Sequence, residues 1–104
     1  MDRNRNASLT IGTTAQIVSE EIQTNNLKRT IITLINSSIG GQIITIAIGD
    51  HAANNKGVPL NPGGYWQESI DAGFTPTQSF ITAISDVAGG ILSIQERITS
   101  KGGI

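Results

Sequence analysis

Two stretches of β-branched and apolar residues dominate the hydropathy pattern of this chain. Arg29 to Asn36 reads RTIITLIN and Ile43 to Asp50 reads IITIAIGD, with SSIGG in the break between them. In the second run Ile44, Ile46 and Ile48 alternate with Ile43, Thr45 and Ala47, a period of two that marks a strand. In the first, Ile32 and Leu34 oppose Ile31, Thr33 and Ile35, so both faces carry apolar side chains. A strand apolar on both sides lies between two layers or meets another subunit. Because Gly-rich turn residues separate the runs, the pattern predicts a β-hairpin at the centre of the fold.

Shorter runs of the same character flank this centre. Ser8–Ile11 and Gln16–Val18 read as strands around Gly12-Thr13-Thr14. Glu20–Asn26, with Ser19 as a possible N-cap, reads as a connection or a single helical turn. Asp50 to Gly64 is dense in breakers, with Pro59, Pro62 and the Asn61-Pro62-Gly63-Gly64 turn signal, and reads as a long loop. Beyond it, Tyr65–Ile70, Thr77–Ile84 and Ile91–Ile98 read as strands, with a short extended piece at Phe74-Thr75-Pro76. Seven or eight short strands at this spacing predict an all-β fold, an antiparallel, jelly-roll-like β-sandwich. The expected division is an N-terminal arm at 1–7, a sandwich at 8–98 and a C-terminal tail at 99–104. No internal repeat of 20–50 residues is evident, which argues against a solenoid or propeller.

A chain of 104 residues supports one core and one domain. Charged residues make up only 14% of it, against about 25% in an average soluble domain. Asn, Gln, Ser, Thr and Gly replace them. Neutral polar surface is easily desolvated, which suits a subunit held against copies of itself or a larger assembly. The net charge of −1 gives no bulk support for nucleic-acid binding. No apolar run reaches the roughly 20 residues of a membrane helix, so no membrane partner is expected. The first ten residues lack the apolar stretch of a secretory signal, so the expectation is a protein made and used without export.

Candidate chemistry is sparse. Cysteine is absent, so disulfides and thiolate metal sites are excluded. His51, the single histidine, lies beside Asp50. Neighbours on a strand point to opposite faces, so Asp50 would not orient His51 toward Ser37 or Ser38. The carboxylates and this histidine show no metal-ligand spacing, and no metal or cofactor is expected. Glu68 and Glu96 could be neighbours across strands, which leaves a small glycoside hydrolase as one alternative. The residue pattern assigns no catalytic residue. The aromatics are Tyr65, Trp66, Phe74 and Phe80; adjacency places Tyr65 and Trp66 on opposite faces, with Trp66 expected in the core and Tyr65 at an interface. Exposed aromatics would also serve a carbohydrate-binding module, a second alternative.

The order of elements resembles a broad class of small β-sandwich virion proteins of tailed bacteriophages, found as head decoration, capsid cement or minor structural subunits. The resemblance runs over residues 29 to 97. It rests on the apolar strand from Arg29 to Asn36, the strand from Ile43 to Gly49, and the Gly57-Val58-Pro59-Leu60-Asn61-Pro62-Gly63-Gly64 loop. An aromatic strand, Ile81–Ser85 and the strand from Ile91 to Glu96 complete it. It implies a non-enzymatic homo-oligomer, often a trimer, on the exterior of a virion, contacting the major capsid protein or other virion proteins. A tail, fibre or spike location is the near variant. Candidate interface residues are Arg3, Arg5, Ile31, Ile35, Tyr65 and Ile104, with Arg3 and Arg5 in the expected arm.

Overall fold

A computed structural model describes residues 2–22, 27–69 and 77–100. Eight strands follow one another: β1 (Asp2–Ile11), β2 (Gln16–Ser19), β3 (Leu27–Asn36), β4 (Ile44–Ile48), β5 (Val58–Leu60), β6 (Tyr65–Ser69), β7 (Ile81–Ser85) and β8 (Gly90–Ser100). They form two four-stranded sheets, β1-β8-β3-β6 and β2-β7-β4-β5, antiparallel throughout. First pairs with eighth, second with seventh, third with sixth and fourth with fifth. The chain is thus one long hairpin wrapped around a core, which is the jelly-roll form of the sandwich. Among the described residues there is no helix.

The core is the meeting of two alternating faces. Ile11, Ile32, Leu34, Leu92 and Ile94 point inward from the first sheet. Val18, Ile44, Ile46, Leu60, Ile81 and Ala83 meet them from the second, and all are buried. Each fully buried Ile or Leu contributes on the order of 1.5–3 kcal/mol, so this seam holds the layers together. Among the described residues the buried polar side-chain atoms are satisfied, apart from Trp66 Nε1. Asn36, fully enclosed at the end of β3, donates through Nδ2 to Gln42 O (2.8 Å) and Leu60 O (2.7 Å), and its Oδ1 accepts from Ser38 N (3.0 Å). That side chain ties β3 to the crossing segment and to β5.

The predicted central hairpin does not form. β3 pairs with β8 and β6, whereas β4 pairs with β7 and β5 in the other sheet. The chain crosses between the sheets after β3, where the Asn36 side chain holds Gln42 O and Leu60 O, so the two runs enter different layers and bury their apolar faces against each other. The two apolar runs face each other across the core instead of lying side by side. The outer face of β4 is covered from within the chain. The loop after it folds back so that Asn55 N donates to Thr45 Oγ1 (3.3 Å) and Ala52 N to Thr82 Oγ1 (2.9 Å). Gly57, at φ 130°, lies so near Ile46 that a Cβ there would stand 2.2 Å from its carbonyl oxygen.

Three boundaries also differ from the pattern. Residues 2–7, expected as an arm, are the first part of β1, in unbroken register with β8 from Asp2↔Thr99 to Ile11↔Gly90. Their inward positions carry Arg3 and Arg5 instead of apolar residues, which hides the alternation. Thr99 and Ser100, placed in the expected tail, belong to β8. β5 is a strand inside the expected loop; Pro59 sits on a sheet edge, where its missing N–H breaks no ladder. Ser19, the possible helix cap, ends β2. The extended piece at 74–76 and residues 101–104, including Ile104, lie outside the described residues.

Candidate functional site

The first sheet presents an outer face almost without charge. Register aligns Asn6, Gln95, Thr33 and Gln67 in one rung across β1, β8, β3 and β6, and Ser8, Ser93, Ile35 and Tyr65 in the next. Neither rung holds an ionisable group other than the Tyr65 phenol. One rung further, Arg97 is the single cation between Asn4 and Ile31, and its Nε donates to Asn4 Oδ1 (3.1 Å). Gln67 Nε2 donates to Thr33 Oγ1 (3.0 Å), and the Ser37 and Ser93 hydroxyls lie 2.7 Å apart. These neighbours satisfy part of one another's hydrogen-bonding capacity, which lowers the cost of removing water from the face.

Ile35 and Tyr65 stand directly opposite each other, 38% and 65% exposed. Their adjacency creates an apolar anchor beside a neutral polar field, the composition of an interface core and rim. Ile31 shares this face, half-buried, about 13 Å along β3 from Ile35. Arg3 and Arg5 do not join them. Both follow the inward-facing parity of β1, with Arg3 exposed and Arg5 turned into one end of the sandwich. Trp66 packs against the core, opposite in direction to Tyr65.

Arg5 belongs to a second cluster that closes this end. Arg29 is fully buried; its Nε donates to Glu96 Oε2 (2.7 Å) and its Nη2 to Ser19 Oγ (2.7 Å) and Glu20 O (2.8 Å). Its Nη1 reaches Thr77 O and Ser79 O. Ser19 Oγ donates to Glu96 Oε2 (2.6 Å), and Arg5 Nη1 stands 3.6 Å from Glu96 Oε1 while donating to Val18 O (3.0 Å). The Gln78 side chain bonds the Arg29 backbone at both N (2.7 Å) and O (3.1 Å), like a short extra strand. Thr77, Gln78 and Ser79, expected at the start of a strand, therefore serve Arg29, and β7 begins only at Ile81. The cluster joins β1, β3 and β8 of one sheet to β2 and the approach to β7 of the other.

Neither catalytic alternative finds its geometry here. Glu68 and Glu96 flank Ile32 on opposite sides, two strand spacings or roughly 9.5 Å apart at the backbone. Glu96 is 4% exposed and engaged by Arg29 and Ser19, and Glu68 Oε1 accepts from Thr77 N (3.1 Å). A cleft of about 280 Å³ reaches Glu96 past Arg5, Val18 and Ile98, but Glu68 is not among its lining residues. Asp50 Oδ1 accepts from the His51 backbone N (2.7 Å), Ser37 Oγ pairs with Ser93, and Ser38 Oγ accepts from Ile91 N (2.9 Å). The imidazole and the serines are thus committed to separate local roles or to solvent.

Sequence reasoning missed the Arg29–Ser19–Glu96 cluster. Its one signal was Glu96 at the inward parity of β8; Arg29 has the outward parity of Ile31 and Ile35 and is turned inward only by the register shift between Arg29 and Ile31, which no alternation shows.

No family model matches this sequence, and no curated protein matches it. Among solved structures, one from the disulfide-linked pili of Bacillus endospore appendages superposes with a TM-score of 0.64 at 12% identity, covering 96% of this chain and 87% of that one. At that identity the likeness speaks to the fold, an all-β sandwich.

Proposed function

We propose that this protein is a non-enzymatic structural subunit that works by packing against copies of itself and against other subunits of a larger assembly. The observation that carries this reading is the two charge-free rungs on the outer face of the β1-β8-β3-β6 sheet, with the exposed Ile35–Tyr65 pair as their anchor. Fold alone does not assign function; the composition of this surface supports the reading. A face of Asn, Gln, Ser and Thr around two apolar side chains is suited to burial against a similar surface.

The location that best accommodates such a subunit is the exterior of a bacteriophage particle, as a capsid decoration or cement protein. The strand-and-turn resemblance over residues 29–97 supports it. Bridging contacts would stabilise the assembled shell by mass action, since they form only in the assembled state. A fibre is the second reading, favoured by the likeness to a pilus subunit. With no cysteine, such a fibre would be held by non-covalent contacts. A glycan-binding role is less well supported: among the described residues, Tyr65 alone presents a largely exposed ring, and a sugar platform uses several.

Light scattering over a concentration series, with electron microscopy of the same samples, tests this reading. Discrete oligomers that bind preformed capsid shells support the decoration role, and filaments support the fibre role. A monomer that neither polymerises nor binds shells would overturn both.

A further inference from the structure

The two sheets have four edges, and three are blunted. β2 is four residues long with a register shift, β5 has three residues including Pro59, and β6 has five. Short strands, bulges, edge prolines and inward-pointing charges are the devices that keep sheets from adding further strands. β1 has only the last of these, in Arg3 and Arg5, and Arg5 is drawn off to Glu96 and Val18 O. It runs for ten residues in unbroken register and contains no proline. Among the described residues, no backbone hydrogen bond outside the ladders reaches residues 2–10.

The hydrogen bonds identify which β1 residues face the open side. Ser37 N donates to Ile91 O, so odd-numbered residues of β8 turn their backbone groups toward β3. Even-numbered residues of β8 therefore face β1, where their partners are Arg5, Ala7 and Leu9. By alternation, Asp2, Asn4, Asn6, Ser8 and Thr10 direct their N–H and C=O groups away from the sheet. Gln16 Nε2 confirms the parity by donating to Thr10 O (3.3 Å), and so covers one end of the edge. Between Thr10 and Asp2, at the start of the strand, lie Asn4, Asn6 and Ser8, all exposed and all neutral.

We propose that a second copy of this chain adds its own β1 to this edge, antiparallel and two-fold symmetric, with Asn6 on the axis. This rests on the self-assembling reading above and names one contact within that assembly. Centring the pair on Asn6 joins Asn6 with Asn6 and Asn4 with Ser8, and sets Asp2 opposite Thr10, whose carbonyl Gln16 already covers. Charge selects the same register. It sets Arg5 opposite Ala7 and Arg3 opposite Leu9. A slip of one residue to a centre on Arg5 would oppose Arg5 to Arg5, and a centre on Asn4 would oppose Arg3 to Arg5; like charges directly across a pair are destabilising. The result is an eight-stranded sheet with the sparsely charged outer face continuous across the axis, an isologous interface.

The absence of native cysteine makes a direct test available. Residues opposed in a hydrogen-bonded pair have Cα atoms about 5.5 Å apart, within reach of a disulfide. Under mild oxidation of the full chain, Asn6→Cys should give a reducible dimer. Asn4→Cys alone should not, and an equimolar mixture of Asn4→Cys and Ser8→Cys should. A cysteine at Gln67, on the other edge of the sheet, is the control. Asn6→Lys should weaken self-association at least tenfold with the melting temperature unchanged, and mixing Asn6→Lys with Asn6→Asp should restore it.

Equal cross-linking by Asn4→Cys or Gln67→Cys would overturn the proposal. So would association untouched by Asn6→Lys. If the lysine variant still builds oligomers or filaments in the microscope, this contact is wrong while the structural-subunit reading stands. If the unmodified chain builds nothing, that reading has failed as well.

Discussion

Arg29 and Glu96 form a buried ion pair, Nε to Oε2 2.7 Å, in strands that neighbour each other in one sheet while their shared partner Ser19 comes from the other. Both charges are almost fully removed from water. Such a pair contributes little net stability over an apolar equivalent, yet breaking it from one side leaves a charge without compensation.

Glu96→Ala should therefore cost about 3–5 kcal/mol, measured from the midpoint of chemical unfolding. The double variant Arg29→Met with Glu96→Leu should cost less than the sum of its single changes. Strict additivity would show that the two side chains act independently.

Gly57→Ala should destabilise by at least about 3 kcal/mol or displace the loop that covers β4, because its Cβ would meet Ile46 O at 2.2 Å. Gly63→Ala is the comparison. It has positive φ but open space around it, and should cost about 1 kcal/mol. Equal effects on thermal unfolding would mean that the close approach at Gly57 is not real.

Thr82 Oγ1 donates to Asp50 O (2.6 Å) and accepts from Ala52 N (2.9 Å), pinning that loop over the second sheet. Thr82→Val keeps the shape and removes both bonds. Expected are a loss of about 1–3 kcal/mol and faster hydrogen exchange at the Ala52 amide, with exchange in β3 and β8 slowed or hastened only as global stability changes.

Tyr65→Glu and Ile35→Glu alter exposed positions and should change stability by only about 0.5 kcal/mol. Both should reduce self-association in sedimentation experiments, since each places a charge in the centre of the neutral face. Unchanged association with either variant would remove that face from the assembly.

The strands carrying strict alternation were readable because burial of one face enforces a two-residue period: β3, β4, β6 and β8 lie close to where their apolar residues place them. β1 was only half readable. Its inward side passes from the core, at Leu9 and Ile11, to the polar end of the sandwich, where Arg5 meets Glu96, so the apolar half of the period disappears. The start of β7 was misplaced for a related reason, because Thr77 and Ser79 spend their carbonyls on Arg29, and those of Gln78 and Phe80 accept from Ile22 N and Gly49 N. Tyr65, Ile35 and Ile31 were legible as apolar residues in excess of what one buried face needs. Their shared surface was not.

What the sequence determined by itself was the class of fold and the nature of the surface: short alternating strands closed by Gly and Pro turns, and a shortage of charge. These are local or compositional properties that each segment carries wherever it packs. The tertiary structure alone decided that β3 pairs with β8 and not with β4, that β1 ends its sheet with an open edge, and that Arg29, Ser19 and Glu96 meet. Those outcomes join residues up to 77 positions apart. No periodicity encodes such a separation; it is settled by which apolar faces close on one core and which inward charges can neutralise one another.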